Sequence, residues 1–296
     1  MFTNIIVGVD GSQGGRDALA LAQQLAAPAA AITLAHMYGD GRLFGKAAGL
    51  YLLEARRQSL ALLDRERERP AAGLEVSSVS AASPRLGRGL RLLAERRHAD
   101  LLAIGACHRG KLGQILLGDH TAAALNGAPC AVAIAPRGYT APERLARIGV
   151  AYDGSPEASR ALEVARTLAS LHHARVSAVS AISLQEVPYG ESIGSHLDEV
   201  AERLYTEQQR LWNELMDIDT NVTFGRPAKA MANLSESVDL LVVGSRSRNR
   251  LQRLLDGSTS NHLARHARCP VLVLPRTALG NCPAASEQDP AAAGRC

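Results

Sequence analysis

Short apolar runs alternate along this chain with longer segments whose apolar residues recur at helical spacing. The first apolar run extends from Asn4 to Val9. A short run of this kind is typical of a buried strand, and apolar positions three or four residues apart are typical of an amphipathic helix. The start of the chain therefore predicts a strand, a turn and a helix. The apolar positions of that helix are Ala18, Leu19, Ala22, Leu25 and Ala26.

The same alternation continues through the first half of the chain. Further strands are predicted at residues 30–36, 74–80, 100–105 and 130–135, and further helices at residues 43–69, 85–98 and 118–126. Strands separated by helices of this length need crossover connections and run parallel. The first half is therefore expected to be a doubly wound α/β domain with five parallel strands.

The second half of the chain repeats the first. Val7-Gly8-Val9-Asp10-Gly11-Ser12 returns as Val150-Ala151-Tyr152-Asp153-Gly154-Ser155, and the apolar run ending at Gly105 returns in the run ending at Gly244. A repeat of this length indicates a duplicated domain and not a short-period solenoid. We expect domains at residues 1–139 and 144–276, a short linker around residues 136–143, and a disordered tail at residues 277–296.

The strands of the second half are predicted at residues 148–152, 175–182, 221–224, 239–244 and 271–274, and its helices at residues 156–171, 193–216, 227–236 and 257–267. His172 and His173 are adjacent and are expected to mark the end of a helix.

Composition agrees with this fold class and narrows the function. Hydrophobic residues make up 46% of the chain and aromatic residues only 3%, which suits Ala, Leu and Val packed between helices and a parallel sheet. The 33 basic and 29 acidic residues are too balanced for a dedicated polyanion binder, so no nucleic-acid partner is expected. Five unpatterned cysteines, and apolar runs well below the length of a membrane span, predict a cytoplasmic protein with no membrane partner.

Candidate chemistry begins at the turn after the first strand of each copy. In an open parallel sheet, ligands bind beyond the carboxyl ends of the strands, where the strand order reverses. Asp10 and Asp153 follow such strands and can accept hydrogen bonds, and the glycine after each permits a tight turn. The alternative reading is structural, with Ser12 and Ser155 capping the next helix.

The loop after the fourth strand of the second copy has the features of a phosphate-binding loop. Gly244 lets backbone approach a ligand, and Gly257 and Ser258 open a predicted helix whose free N–H groups attract anions. Positive charge around the loop comes from Arg246, Arg248, Arg250 and Arg253.

On these residues the chain, from about Asn4 to Pro275, resembles a tandem universal stress protein. Nucleotide-binding members of that family carry Gly, two residues, Gly, nine residues, then Gly and Ser or Thr. The second copy has Gly244, two residues, Ser247, nine residues, then Gly257-Ser258. The spacing is intact, and Ser247 stands in the place of the second glycine, where only Gly visits positive φ freely.

The resemblance implies an adenine-nucleotide binding module for stress response or signalling, with ATP as ligand, with or without Mg²⁺. Asp153 would lie at the nucleoside end, the adenine near residues 178–181, and the glycines and Ser258 at the phosphates. Family members pair through the last strand, so the resemblance also implies an internal pseudo-dimer, open to further homodimerisation and to an unidentified protein partner. The expected cofactor-binding residues are Asp153, Gly154, Gly244, Arg246, Ser247, Gly257, Ser258 and Thr259.

The first copy keeps the spacing with different chemistry, namely Gly105, His108 and Gly118-Asp119. A carboxylate at Asp119 would stabilise the start of its own helix, and it would also repel a polyphosphate. We therefore expect the first copy to bind ATP poorly. The alternative function is a tandem scaffold for protein interaction in which both sites are degenerate.

Other near-matches are weaker. Gly105 to Lys111 fits the start of a P-loop, but Leu112 replaces the hydroxyl that binds Mg²⁺. Gln13 to Ala18 is similar to the loop of ATP pyrophosphatases but lacks both hydroxyl positions. His262 and His266 have the spacing of metal ligands without an evident third ligand, so no metal site is expected, and Cys107 is expected to be an inert free thiol. No general base or nucleophile is evident, so the protein is predicted to be no enzyme, with at most slow ATP hydrolysis.

Overall fold

The computed structural model describes most of the chain. The described residues are 1–41, 45, 47–70, 74–106, 123–124, 127–182, 193–225, 227–245 and 267–275. The helices predicted at residues 118–126 and 257–267 lie outside these ranges, apart from residues 123–124, which are helical, and residue 267.

The first half forms strands and helices in the predicted alternation. Its elements are β1 (Phe2–Gly8), α1 (Gln13–Leu25), β2 (Ala26–Tyr38), α2 (Ala48–Arg67), β3 (Glu75–Ala82), α3 (Leu86–Arg96), β4 (Leu101–Gly105) and β5 (Ala131–Ala135).

The second half follows the same order. Its elements are β6 (Arg147–Ala151), α4 (Pro156–His172), β7 (Arg175–Ile182), α5 (Ile193–Glu214), β8 (Asp219–Phe224), α6 (Pro227–Leu234), β9 (Leu240–Ser245) and β10 (Val271–Pro275).

All ten strands join one sheet in the order β3-β2-β1-β4-β5-β10-β9-β6-β7-β8. Every neighbouring pair is parallel except β5 and β10, which pair antiparallel with Leu272 opposite Ala133. The two half-sheets therefore meet through their last strands, as expected for an internal pseudo-dimer. In each half the strand order reverses between the first and fourth strands, which places a crevice at the carboxyl ends of β1 and β4 and another at those of β6 and β9.

Buried side chains cover both faces of the sheet. One cluster joins β1 and β6 to α1 and α4 and includes Leu63 of α2 and Leu211 of α5, while a second joins the other face to Ala94 of α3 and to residues of α6. Helices on both faces of a parallel sheet define a doubly wound α/β fold. Among the helices in the described ranges, none has both the length and the apolar character needed to cross a bilayer.

Several boundaries differ from the predicted ones because long-range partners and backbone conformation set them. Strand β2 begins four residues earlier than predicted, since Ala26 still pairs with Phe2 of β1. Helix α3 ends two residues earlier, because His98 has a left-handed φ of 50° and Ala99 N–H returns to the Ala94 carbonyl. The helix end predicted at His172 and His173 is confirmed, and His173 is also left-handed.

The linker between the halves is fixed to the first helix by a buried carboxylate. Asp17 of α1 is 1% exposed. Its two oxygens accept hydrogen bonds from the Gly138 N–H at 2.6 Å and from the Gln13 side-chain amide at 2.9 Å. Because Gly138 lies 121 residues away along the chain, this contact ties the linker to the first half.

Asp17→Ala is expected to lower the free energy of unfolding by about 2 kcal/mol, because it leaves the Gly138 N–H without its charged acceptor. Urea denaturation followed by circular dichroism measures the change. The matched control is Asp64→Ala on α2, where the carboxylate is exposed and its removal should change stability little. Equal stabilities of the two variants would contradict the anchoring role.

Candidate functional site

The turn after β6 is held by Asp153 itself. Asp153 Oδ1 accepts hydrogen bonds from the Ser155 N–H at 3.0 Å and from the Ser155 hydroxyl. Gly154 between them has φ = 73°, a left-handed conformation that L side chains rarely adopt. The Asp-Gly-Ser sequence therefore folds into a tight turn that holds the Asp153 carboxylate at the carboxyl end of β6.

The capping interpretation is confirmed at one of these turns and wrong at the other. Ser155 Oγ accepts the Ala158 N–H at 3.2 Å and caps α4. Ser12 forms the same contacts with Asp10 but makes no side-chain cap to α1. The two helices start differently: Pro156 presets the first turn of α4, whereas α1 begins with Gln13 followed by two glycines.

Gly244 allows β9 to pack closely against the start of α4. A Cβ atom at Gly244 would be 2.3 Å from the carbonyl oxygen of Glu157 in the first turn of α4. Gly105 has the same relation to Gly14 of α1, at 2.1 Å. The close approach brings the end of β9 against the start of α4, so Asp153, Gly154 and Gly244 come together at the strand-order reversal.

The remaining predicted site residues, Arg246, Ser247, Gly257, Ser258 and Thr259, lie outside the described residues. The same holds for Cys107, His108, Gly118 and Asp119 of the first copy and for His262 and His266. Within the described ranges, no group of three or more His, Cys, Asp or Glu side chains could hold a metal ion.

A charged cluster on α5 adjoins the Gly154 turn, and the sequence reasoning missed it. Arg210 donates to both oxygens of Glu207, at 2.6 and 2.8 Å, and to both oxygens of Glu214, at 2.8 and 3.0 Å. Hydrogen bonding to Arg210 is the main reason that the pKa of Glu207 is held below its usual value. The pKa of Arg210 is raised, chiefly by its hydrogen bond to Glu207. Glu207 and Arg210 are three residues apart, and Arg210 and Glu214 are four apart. Opposite charges at these spacings are neighbours on a helix, so the sequence pattern could have indicated the cluster.

The cluster is tied to the ends of β6 and β7. Glu207 accepts from the buried Ser180 hydroxyl at 2.7 Å, and Glu214 accepts from the Tyr152 hydroxyl at 3.3 Å. The Arg210 guanidinium carbon lies 5.9 Å from the centre of the Tyr152 ring. Ser180 belongs to residues 178–181, where the resemblance puts the adenine, so the cluster stands at the nucleoside end of the expected site.

The first half has different groups at the corresponding places. Its turn is contacted by Arg16 of α1, which donates to the Gly11 carbonyl at 3.3 Å and pairs with Glu66 of α2 at 3.5 Å. His36 of β2 and Ser80 of β3 both hydrogen-bond to the Ser59 hydroxyl of α2, at 2.8 and 2.7 Å. Burial lowers the pKa of His36, against an opposing effect of Asp10. The apolar side chain of Leu62 lies next to Gly11. The two strand-end crevices are therefore alike in backbone and different in charge.

Two tandem α/β halves with a glycine turn at each strand-order reversal define a duplicated doubly wound α/β fold. The sequence profile of the universal stress protein family matches residues 1–136 and 145–275. The chain therefore belongs to the universal stress protein family.

Comparisons with individual proteins agree with this membership. A universal stress protein of Mycobacterium tuberculosis (strain ATCC 25618 / H37Rv) is 32% identical over 181 residues, which are 59% of this chain and 61% of that protein. The chain thus matches less than two thirds of the length of that relative. A Thermus aquaticus universal stress protein is 35% identical over 132 residues, 42% of this chain and 95% of that protein.

A solved structure shows the same fold over nearly the whole chain. The crystal structure of a universal stress protein from Archaeoglobus fulgidus DSM 4304 superimposes with a TM-score of 0.63 at 21% identity. The match covers 92% of this chain and 96% of that one.

Proposed function

We propose that this protein is an adenine-nucleotide binding module of stress response or signalling, with ATP as ligand and the second domain as the better site. The observation that carries the proposal is the meeting of Asp153, Gly154 and Gly244 at the strand-order reversal between β6 and β9. Crevices at such reversals are where doubly wound folds bind their ligands.

Asp153 suits the nucleoside end of a nucleotide, because its carboxylate is an acceptor for sugar hydroxyl donors. Gly154 sets the left-handed turn that places this carboxylate, and Gly244 lets β9 approach the first turn of α4 closely. Arg246, Ser247, Gly257, Ser258 and Thr259 complete the proposed site at the phosphates, with or without Mg²⁺. Mg²⁺ keeps several waters and binds mainly through the phosphates of its nucleotide, so the proposal does not require Asp153 as its ligand.

The proposed module binds ATP without turning it over at an enzymatic rate. The Ser155 hydroxyl beside Asp153 is engaged in the turn and in capping α4. It is therefore not placed as a nucleophile, and hydrolysis would be slow at most. We propose domain limits of residues 1–139 and 144–276, with residues 277–296 outside both, and a cytoplasmic location. A further homodimer and an unidentified protein partner are part of the same proposal.

A second candidate function, a tandem scaffold for protein interaction, is favoured by one sequence observation. Ser247 replaces a glycine of the family motif, and His108 and Asp119 depart from it in the first copy. If both loops have lost their ligand, the sheet and its central β5–β10 pair would remain as a rigid platform.

Release of bound nucleotide separates these functions. Freshly purified full-length protein is denatured, and the supernatant is analysed by mass spectrometry. The ATP proposal predicts adenine nucleotide in amounts approaching the protein concentration, and the scaffold predicts none. A matched sample of Ser258→Asp should release much less, because a carboxylate at that position would repel the phosphates.

A further inference from the structure

The Arg210 guanidinium lies directly against the turn that carries Asp153. A Cβ atom at Gly154 would be 2.7 Å from Arg210 Nη1, so the guanidinium occupies the space that a side chain there would fill. The Arg210 side chain is 32% exposed, so a ligand in the strand-end crevice can reach it. It forms part of the wall of that crevice.

The orientation of this guanidinium is fixed by its neighbours. Nε and Nη2 donate to Glu207, and Nη1 donates to Glu214. Ser180 holds Glu207, and the Tyr152 hydroxyl holds Glu214. These bonds run along the edges of a planar cation, and one of its faces lies over the Tyr152 ring. The opposite face is therefore what it offers to a further partner.

We propose that Arg210 is a specificity-determining residue that stacks a face of its guanidinium on the base of the bound nucleotide. The inference rests on the proposed function, because it takes the base to lie at the nucleoside end beside Gly154 and β7. A guanidinium group that stacks on an aromatic ring stabilises the complex by about 1 to 2 kcal/mol. A bicyclic purine overlaps the guanidinium plane more fully than a pyrimidine does. We therefore expect Arg210 to favour purine nucleotides over pyrimidine nucleotides.

The first half provides an internal comparison. Leu62 of α2 stands where Arg210 stands, with its Cδ1 3.0 Å from the place of a Cβ at Gly11. The groups that would hold a guanidinium are also changed, since Ser59 hydrogen-bonds His36 where Glu207 hydrogen-bonds Ser180. A branched apolar side chain has no planar cationic face, so α2 of the first half has no stacking platform at this position. The guanidinium at that turn, from Arg16 of α1, donates to the Gly11 carbonyl instead.

The test titrates ATP, CTP and inorganic triphosphate into the full-length protein and into Arg210→Leu and Arg210→Lys. Loss of the stacking plane should weaken ATP about tenfold, weaken CTP less, and leave inorganic triphosphate unchanged. Arg210→Lys keeps a positive charge beside both carboxylates but lacks the plane, so it should behave like Arg210→Leu. The Arg210→Lys variant alone tests the stacking role if the Arg210→Leu variant fails to fold.

Arg166→Leu is the matched control. It removes the same charge and also breaks an ion pair, with Asp217 at 2.8 Å, but Arg166 lies in the C-terminal half of α4, at the amino ends of the strands. Its ratio of ATP to CTP affinity should equal that of the wild type. An unchanged ratio in both Arg210 variants, with tight ATP binding by the wild type, overturns the stacking role alone. Failure of the wild type to bind any of the nucleotides overturns the proposed function, and the inference with it.

Discussion

Gly244→Ala is expected to lower the free energy of unfolding by about 3 kcal/mol, because the added methyl group meets backbone and not a flexible side chain. The new Cβ would be 2.3 Å from the Glu157 carbonyl oxygen and 2.6 Å from its carbon. No rotamer change relieves such a contact, so β9 and the first turn of α4 must move apart. Urea denaturation followed by circular dichroism measures the loss.

The same displacement would disturb the proposed site, since the first turn of α4 begins next to Ser155, which holds Asp153. We therefore expect Gly244→Ala to bind ATP more weakly as well as to unfold earlier. Gly49→Ala on α2 is the matched control, because no atom beyond its own helix lies within 4 Å of the added Cβ. It should leave stability unchanged or raise it by up to about 1 kcal/mol. Equal stability of Gly244→Ala and the wild type would refute the close approach.

Ser258→Asp is expected to weaken ATP binding by about a hundredfold. The change gives the second copy the Gly-Asp pair found at Gly118-Asp119 in the first. A carboxylate close to a polyphosphate replaces a hydroxyl donor with a like charge, and a penalty of about 3 kcal/mol corresponds to this loss of affinity. Isothermal titration calorimetry with ATP measures it.

Two further variants make this prediction specific. Ser170→Asp introduces the same chemical change on an exposed position of α4, and it should leave ATP affinity unchanged. Asp119→Ser, introduced into the Ser258→Asp protein, should restore part of the binding through the first copy. Undiminished ATP affinity in Ser258→Asp would show that the loop of the second copy does not hold the phosphates.

The order of strands and helices could be predicted because each element has its own local hydrophobic pattern, and the second half repeats the patterns of the first. Because both copies alternate strands and helices in the same order, the sequence predicts a parallel α/β fold for each. The exact limits depend on distant partners: Ala26 extends β2 because it pairs with Phe2, and no local pattern marks that pairing.

The candidate site could be predicted only in part, for a related reason. Asp153 and Gly154 follow a strand, and Gly244 lies near the end of another. Parallel strands bring their carboxyl ends to one edge of the sheet, so the proximity of these residues follows from the sequence. Arg210 reaches the same turn from α5, about 57 residues further along the chain. The packing of that helix on β7 and β8 brings it there. The charge pattern of Glu207, Arg210 and Glu214 indicates an ion-pair network on a helix. It does not indicate that this network contacts the Gly154 turn.

We propose that the duplicated fold carries one effective nucleotide site, in the second half. The stoichiometry of ATP binding to the full-length wild type, measured by isothermal titration calorimetry with Mg²⁺ present, tests it most directly. We predict a single ATP per chain at concentrations that saturate the stronger site. No measurable binding, or two sites of equal affinity in each chain, would contradict the claim.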